Sequence, residues 1–248
     1  MFQRLSSSAT SGLATVHRGT LFEERSMRIL QDHLSMSLRR VGGRSDGGID
    51  LMGWWWLPPS DLDAAPPGPH HSLPTRRRLR VLAQCKAEKK KPGPNYVREL
   101  EGVLHRYMSL ASADADAAAR DRARAPAPPL VALLVSESPF TKATLLRAQS
   151  SPVPFFLLHI PPLPDPDPDP EQQVDGIGTA VWNPALAGTR GLLGGKMEAR
   201  WERSLSGAGR PGLWWGGQRL RSWTPDKDDE PLTMEYENHF FEAQGNET

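Results

Sequence analysis

Three polar residues lie in or beside two short strand-like runs of this chain. Asp50 follows a pair of glycines in GGRSDGGIDLMGWWW, residues 42–56, and Gln84 and Lys86 interrupt an apolar run in LRVLAQCKAEKK, residues 79–90. Residues two apart in a strand point to the same face, so we expect Gln84 and Lys86 to project together. A carboxylate, an amide oxygen and a lysine at one place can hold a hard divalent cation and stabilise charge on a phosphate.

The same three residues also permit a purely structural interpretation. A buried polar group without a partner costs about 1–3 kcal/mol, so a lysine in a buried strand needs one. Asp50 on the neighbouring strand is the obvious partner. The residues alone therefore leave a phosphodiesterase site and a structural Asp50–Lys86 ion pair equally open.

The first predicted helix offers a third acidic group. Glu23 shares a helical face with Met27, Leu30 and Leu34, whereas Glu24 lines up with polar residues on the opposite face. The spacing predicts that Glu23 points inward and Glu24 outward. An inward acid at this position is either a partner of the helix dipole or a member of the site.

Other candidates carry weaker signals. We interpret His70-His71 as a solvated loop pair rather than a metal site, and Trp54–Trp56 as a packed strand end rather than a base-stacking platform. The run Lys89–Lys91 either contacts phosphates or is an ordinary solvated face, and the sequence does not separate these two. The single cysteine, Cys85, excludes an internal disulfide and a Cys₄ or Cys₂His₂ zinc site.

Hydrophobic periodicity predicts the elements that position these residues. Strands alternate with helices, which favours an α/β sandwich with a mixed sheet. The predicted elements are, in chain order, helix Thr20–His33, strand Ile49–Trp55, strand Leu79–Ala87, helix Asn95–Leu110, strand Leu130–Val135, a helix opened by Ser138-Pro139, and strand Pro154–Ile160.

Composition excludes several classes of protein. The chain has 248 residues, of which 38% are hydrophobic and 24% charged, so it can bury a sizeable core. Its longest apolar run, near Leu130–Val135, is far shorter than the roughly 20 residues that span a bilayer. The net charge of +1 does not itself indicate a nucleic-acid partner, although basic clusters at Arg76–Arg80 and Lys86–Lys91 flank one predicted strand.

Proline-rich segments and the amino terminus indicate how the chain is divided. Residues 1–17 contain Arg and Ser but no acid, which predicts a mitochondrial transit peptide; the alternative is an ordinary N-terminus. The core is expected over 18–160, with a proline-rich loop inserted at Leu57–Thr75. A Pro/Asp spacer follows at 161–170, and residues 171–248 are expected to form a C-terminal extension with short strands and a polar tail.

Three motifs in order resemble the PD-(D/E)XK nuclease superfamily. They are Gly19–Glu23, Gly43–Leu51 and Gln84-Cys85-Lys86, and the resemblance covers roughly residues 18–160. It is greatest to the Mrr-like restriction endonucleases, in which glutamine stands at the place of the usual acid.

A closer similarity is to a family of fungal mitochondrial proteins, the seventh named as required for respiratory growth. The similar runs include Ser37–Gly43, Asp46–Leu51, Gly53–Trp55 and Trp182-Asn183-Pro184. This resemblance implies a mitochondrial location and a role in respiratory growth, but no particular reaction.

The nuclease resemblance implies a restriction-endonuclease-like αβα sandwich with a central mixed sheet, carrying the C-terminal extension. It further implies Mg²⁺ or Mn²⁺ as cofactor and mitochondrial DNA as partner. The metal would be bound by Asp50, the Gln84 side chain and the Cys85 main-chain carbonyl. Lys86 would orient the water or stabilise the transition state, and Glu23 would act on the metal through water.

Gln84 departs from the superfamily pattern because it removes one negative ligand. This departure favours an alternative, an inactive nuclease fold that binds nucleic acid or a protein partner in mitochondria. The oligomeric state stays open, and a dimer is compatible with the sequence.

Overall fold

The computed structural model describes residues 6–41, 48–59, 76–118, 128–163, 176–203 and 209–225. Its helices are α1 (Ser6–Leu34), α2 (Pro94–Ala118), α3 (Lys142–Gln149) and the short α4 (Pro184–Ala187). Its strands are β1 (Met36–Arg40), β2 (Leu51–Leu57), β3 (Arg77–Lys86), β4 (Leu130–Ser136), β5 (Phe155–His159), β6 (Thr179–Trp182), β7 (Met197–Arg203), β8 (Gly209–Trp215) and β9 (Gln218–Arg219).

Strands β1 to β6 form one mixed sheet whose spatial order follows the chain order. The first three strands pair antiparallel, β3, β4 and β5 pair parallel, and β6 closes the far edge antiparallel. The predicted α/β fold with a central mixed sheet is therefore confirmed. Strands β7, β8 and β9 form a second, antiparallel sheet.

Two hydrophobic cores cover the two faces of the central sheet. On one face α1 packs with the second sheet, and its buried residues Phe22, Ile29 and Leu30 recur at helical spacing. On the other face Val97, Leu100 and Leu104 of α2 meet the sheet beside α3. Strand β2 is buried along its whole length because both of its faces are covered.

Glycine at position 53 permits the close pairing of β1 with β2. A Cβ atom there would run into the main-chain oxygen of Ser37 and the Cα of Leu38. The tryptophans that follow, Trp54–Trp56, are buried, so the packed interpretation is confirmed. Arg78 and Arg80 stack on Trp54, with the guanidinium carbons 4.7 and 4.9 Å from the ring centroid.

Several elements differ from the sequence predictions. Helix α1 begins at Ser6 rather than Thr20, and β1 was not predicted. Helix α3 does not open at Ser138-Pro139, because the Ser138 hydroxyl donates to the main-chain oxygen of Glu88. The helix is capped instead by Thr141, whose side chain accepts the main-chain N–H of Thr144.

Part of the expected C-terminal extension belongs to the central sheet, because β6 is its sixth strand. The segment after β9 returns to the turn between α1 and β1. There the Ser35 N–H donates to the Ser222 hydroxyl over 2.9 Å, and the Trp223 N–H donates to the Ser35 hydroxyl over 3.1 Å. Ser35 itself has a positive φ of 57°, which fits a tight turn.

Some predictions concern residues that the structure does not describe. Most of the proline-rich loop with His70-His71, most of the Pro/Asp spacer and the polar tail from Asp226 onward lie outside the described residues. Within the described ranges, none of the helices is both long enough and apolar enough to cross a bilayer.

Candidate active site

Asp50 lies directly beside strand β3. Its carboxylate Oδ2 accepts the main-chain N–H of Cys85 over 2.6 Å, and its own N–H donates to the Ala83 oxygen over 2.9 Å. Asp50 thus continues the β2–β3 pairing by one residue and holds its side chain against the Gln84–Lys86 segment. The structure thus brings Asp50 to the end of the strand that carries Gln84 and Lys86.

Gln84 is a buried amide with spare hydrogen-bonding capacity. Its side chain is 5% exposed, and in the described part of the chain its Oε1 has no hydrogen-bond partner. Gly48 lies against it, since a Cβ at Gly48 would be 3.1 Å from Gln84 Nε2. Gly48 also has a φ of 85°, a left-handed conformation that favours glycine.

Lys86 contacts an aromatic ring on the α2 side of the sheet. Its Nζ lies 4.8 Å from the centroid of Tyr96, and the Tyr96 hydroxyl donates to Glu88 Oε1 over 2.9 Å. The ammonium group is therefore held by a ring that is itself fixed. This contact takes the place of the structural Asp50–Lys86 ion pair that the sequence left open.

Glu23 points inward from α1, as predicted, whereas Glu24 is exposed. Glu23 Oε2 accepts from Arg40 Nε over 2.7 Å, and the Glu23 side chain is 16% exposed against 41% for Arg40. Because α1 begins at Ser6, Glu23 lies in the middle of the helix. Of the two alternatives for Glu23, the helix-dipole partner does not fit this position, since that effect is confined to the first turn.

Cys85 lies between the two acids. Burial raises the pKa of its thiol well above the usual range, and the charges of Asp50 and Glu23 raise it further. The Ser26 hydroxyl and the Lys86 charge act in the opposite direction. Both carboxylates therefore influence the same point at the end of β3.

The sheet nevertheless separates the predicted set into two groups. Cys85 packs on the α1 side, where Glu23 lies, whereas Leu82 and Lys86 face α2. Alternation along β3 puts Gln84 on the α2 side with Lys86. Asp50, which accepts the Cys85 N–H, and the adjoining Gln84–Lys86 segment define one corner of the sheet, and Glu23 lies on its α1 side.

The corner offers few ligands for a cation. Within the described ranges, no three His, Cys, Asp or Glu side chains converge on one point. The available donors are the Asp50 carboxylate, the orphaned Gln84 oxygen and main-chain carbonyls. This set fits Mg²⁺, which keeps several waters and is often bound by one or two carboxylates together with a substrate phosphate.

Tyr96 and Asn183 were not identified as important from their residue types. Asn183 is buried, and its Nδ2 donates to the main-chain oxygens of Ala148, Ser151 and Val153. Its Oδ1 accepts from the N–H groups of Phe155 and Leu186. The available signal was an asparagine followed by proline, which is typical of a capped helix start.

Comparison with known proteins gives one family and two relatives. The family model described as "Required for respiratory growth protein 7" matches residues 14–186. An uncharacterized mitochondrial protein of Schizosaccharomyces pombe is 37% identical over 105 residues, which cover 42% of this chain and 36% of the relative. The mitochondrial "Required for respiratory growth protein 7" of Eremothecium gossypii is 38% identical over 96 residues, which cover 30% of this chain and 39% of the relative.

The chain thus spans well under half the length of the curated relatives it matches. Both relatives are named as mitochondrial, which confirms the location expected from the amino terminus. No solved structure matches the chain.

Proposed function

The chain belongs to the required for respiratory growth protein 7 family, and from that premise we propose that its core is a divalent-metal-dependent phosphodiesterase that acts on mitochondrial DNA in support of respiratory growth. In this proposal the central sheet of the protein is a restriction-endonuclease-like sheet. The reacting phosphate lies at the corner of Asp50, Gln84 and Lys86.

The observation that carries the proposal is the Gln84 amide. An acceptor that is buried without a partner costs about 1–3 kcal/mol, so a ligand that pairs it would bind with that gain. Here the orphaned oxygen lies on the strand to which Asp50 is hydrogen-bonded, two residues from Lys86, and Gly48 lies against the amide nitrogen of the same side chain. A cation or a phosphate-bound water would satisfy it.

Mg²⁺ or Mn²⁺ would be held by Asp50, the Gln84 side chain and the Cys85 main-chain carbonyl, and when bound would supply Lewis-acid polarisation of a phosphoryl oxygen. Lys86 would stabilise negative charge on the phosphate with its ammonium group, which Tyr96 holds. Glu23 would act on the metal through water from the α1 side, where it also pairs with Arg40.

Four proteins test the proposal: wild type, Asp50→Asn, Gln84→Glu and Lys86→Met. Calorimetric titration with Mg²⁺ or Mn²⁺, with a short duplex present, should give weaker metal binding in Asp50→Asn. Binding should be tighter in Gln84→Glu, because a second carboxylate attracts the divalent ion. Lys86→Met should bind metal as well as wild type or better and should not nick plasmid DNA.

Absence of site-specific metal binding in both wild type and Gln84→Glu would overturn the catalytic proposal. A second candidate is a nuclease fold that binds nucleic acid without cleaving it. The small number of metal ligands favours this candidate. Among the described residues at this corner, Asp50 is the one carboxylate that contacts β3. Duplex binding by all four proteins with no nicking by any of them would select this candidate.

A further inference from the structure

The loop from Glu88 to Pro92 joins β3 to α2 and begins two residues after Lys86. It carries three consecutive lysines, Lys89–Lys91, and all three are exposed. From the sequence, this run was either a phosphate contact or an ordinary solvated face. The anchoring of the loop and its position next to Lys86 favour the phosphate contact.

Both ends of the loop are fixed to the neighbouring β4–α3 segment. The Ser138 hydroxyl donates to the Glu88 main-chain oxygen over 2.6 Å, and the Thr144 hydroxyl donates to the Pro92 main-chain oxygen over 2.6 Å. Thr144 and Pro92 are buried. The loop backbone is therefore already ordered, so a ligand that binds it loses little additional chain entropy.

The charges on this loop are available. None of the three lysines forms a hydrogen bond or an ion pair with any described residue. The one acid of the loop, Glu88, is engaged by the Tyr96 hydroxyl. The Tyr96 ring also contacts the Lys86 ammonium group, so one side chain contacts both the loop and the site lysine.

We propose that Lys89–Lys91 is a preformed docking surface for the phosphate backbone of a nucleic acid, continuous with the corner that contains Lys86. The identity of the partner rests on the proposed function. Successive cations beside a phosphodiester site match the repeating charge of a nucleic acid strand. Lysines act as point charges and contact phosphates without reading bases, so the binding should be independent of sequence.

The test is fluorescence anisotropy with a short labelled duplex of mixed sequence, in EDTA, over a series of salt concentrations. The variant Lys89→Ala/Lys90→Ala/Lys91→Ala is compared with Arg28→Ala/Arg190→Ala/Arg221→Ala, which removes the same charge from exposed positions elsewhere. The lysine variant should bind about tenfold more weakly or worse, and its salt slope should fall by about 0.9 for each phosphate that the protein no longer neutralises. The arginine variant should bind within about twofold of wild type. Thermal melts of both variants should match wild type, because all six side chains are exposed.

Three results would overturn the docking surface: no duplex binding by wild type, equal weakening in both triple variants, or stronger lysine-dependent binding to an acidic peptide or anionic vesicles than to the duplex. Failure of the proposed function gives a different pattern. If wild type binds the duplex through these lysines but does not nick DNA with Mg²⁺ or Mn²⁺, the docking surface stands and the proposed cleavage fails. If the lysine variant nicks DNA as fast as wild type, the docking surface fails and the proposed cleavage stands.

Discussion

The ammonium group of Lys86 lies 4.8 Å from the centre of the Tyr96 ring, on the opposite side of the sheet from Glu23. A cation over an aromatic face is stabilised by about 0.5–1 kcal/mol at an exposed site. The ring therefore contributes to holding this lysine on the α2 side.

Replacing the ring should release Lys86. Tyr96→Leu should abolish the ring-current shift of the Lys86 side-chain resonances in NMR spectra, whereas Tyr96→Phe should keep it because the π face remains. An unshifted Lys86 in wild type, or a shift that persists in Tyr96→Leu, would contradict the contact.

The Cys85 thiol should react slowly near neutral pH. Thiolate is the nucleophile, and burial followed by the charges of Asp50 and Glu23 raises the pKa of this thiol well above its usual range. Alkylation should therefore accelerate only at alkaline pH, and Asp50→Asn should speed it at any given pH. Glu198→Gln, on the second sheet, is the matched control and should leave the rate unchanged. Equal rates in Asp50→Asn and wild type would show that the carboxylate does not act on the thiol.

The same raised pKa has a consequence for stability. The thiol of the unfolded chain ionises at a lower pH than the folded one, so the unfolded state loses its proton first. The stability that this group contributes is present below the usual thiol pKa and is lost as pH rises above it. Urea midpoints should fall more steeply with alkaline pH in wild type than in Cys85→Ala.

Asn183 should be among the costliest polar residues to replace. Asn183→Ala removes a buried amide whose two N–H hydrogens are shared among three main-chain oxygens and whose oxygen accepts two main-chain N–H groups, and it leaves main-chain groups unpaired. A loss of about 3 kcal/mol or more in the free energy of unfolding is expected from urea titration. Asn95→Ala, at an exposed site bonded to Arg98, should change stability by about 0.5 kcal/mol or less. Similar losses in the two variants would argue against a buried network at Asn183.

Deleting residues 1–17 should prevent import. Residues 1–17 contain Arg and Ser but no acid, which is the composition of a targeting segment. The truncated chain should therefore fail to enter mitochondria, and a foreign presequence should restore its import. Efficient import of the truncation alone would refute a targeting role for these residues.

Local periodicity was sufficient to predict how three of the candidate side chains are oriented. The alternation of β3 placed Gln84 and Lys86 on one face, and the helical spacing of Met27 and Leu30 oriented Glu23 inward. Both patterns repeat within a few residues, so they can be read without knowing the fold.

Features that depend on distant parts of the chain were missed. Strand β1 is short and ends in two exposed arginines, and it is a strand because it pairs with β2. The start of α3 was misplaced because Ser138 bonds to Glu88, 50 residues earlier in the chain. The contact between Lys86 and Tyr96 required the orientation of α2 on the sheet, which periodicity does not give.

The bond between Ser35 and Ser222 links positions 187 residues apart, so it forms only after both ends of that span are available to fold. A chain that crosses a membrane amino end first can add β1 to β6 in the order in which they emerge, because neighbours in sequence are neighbours in the sheet. The turn at Ser35 is different, since its N–H finds its partner only when residue 222 has arrived.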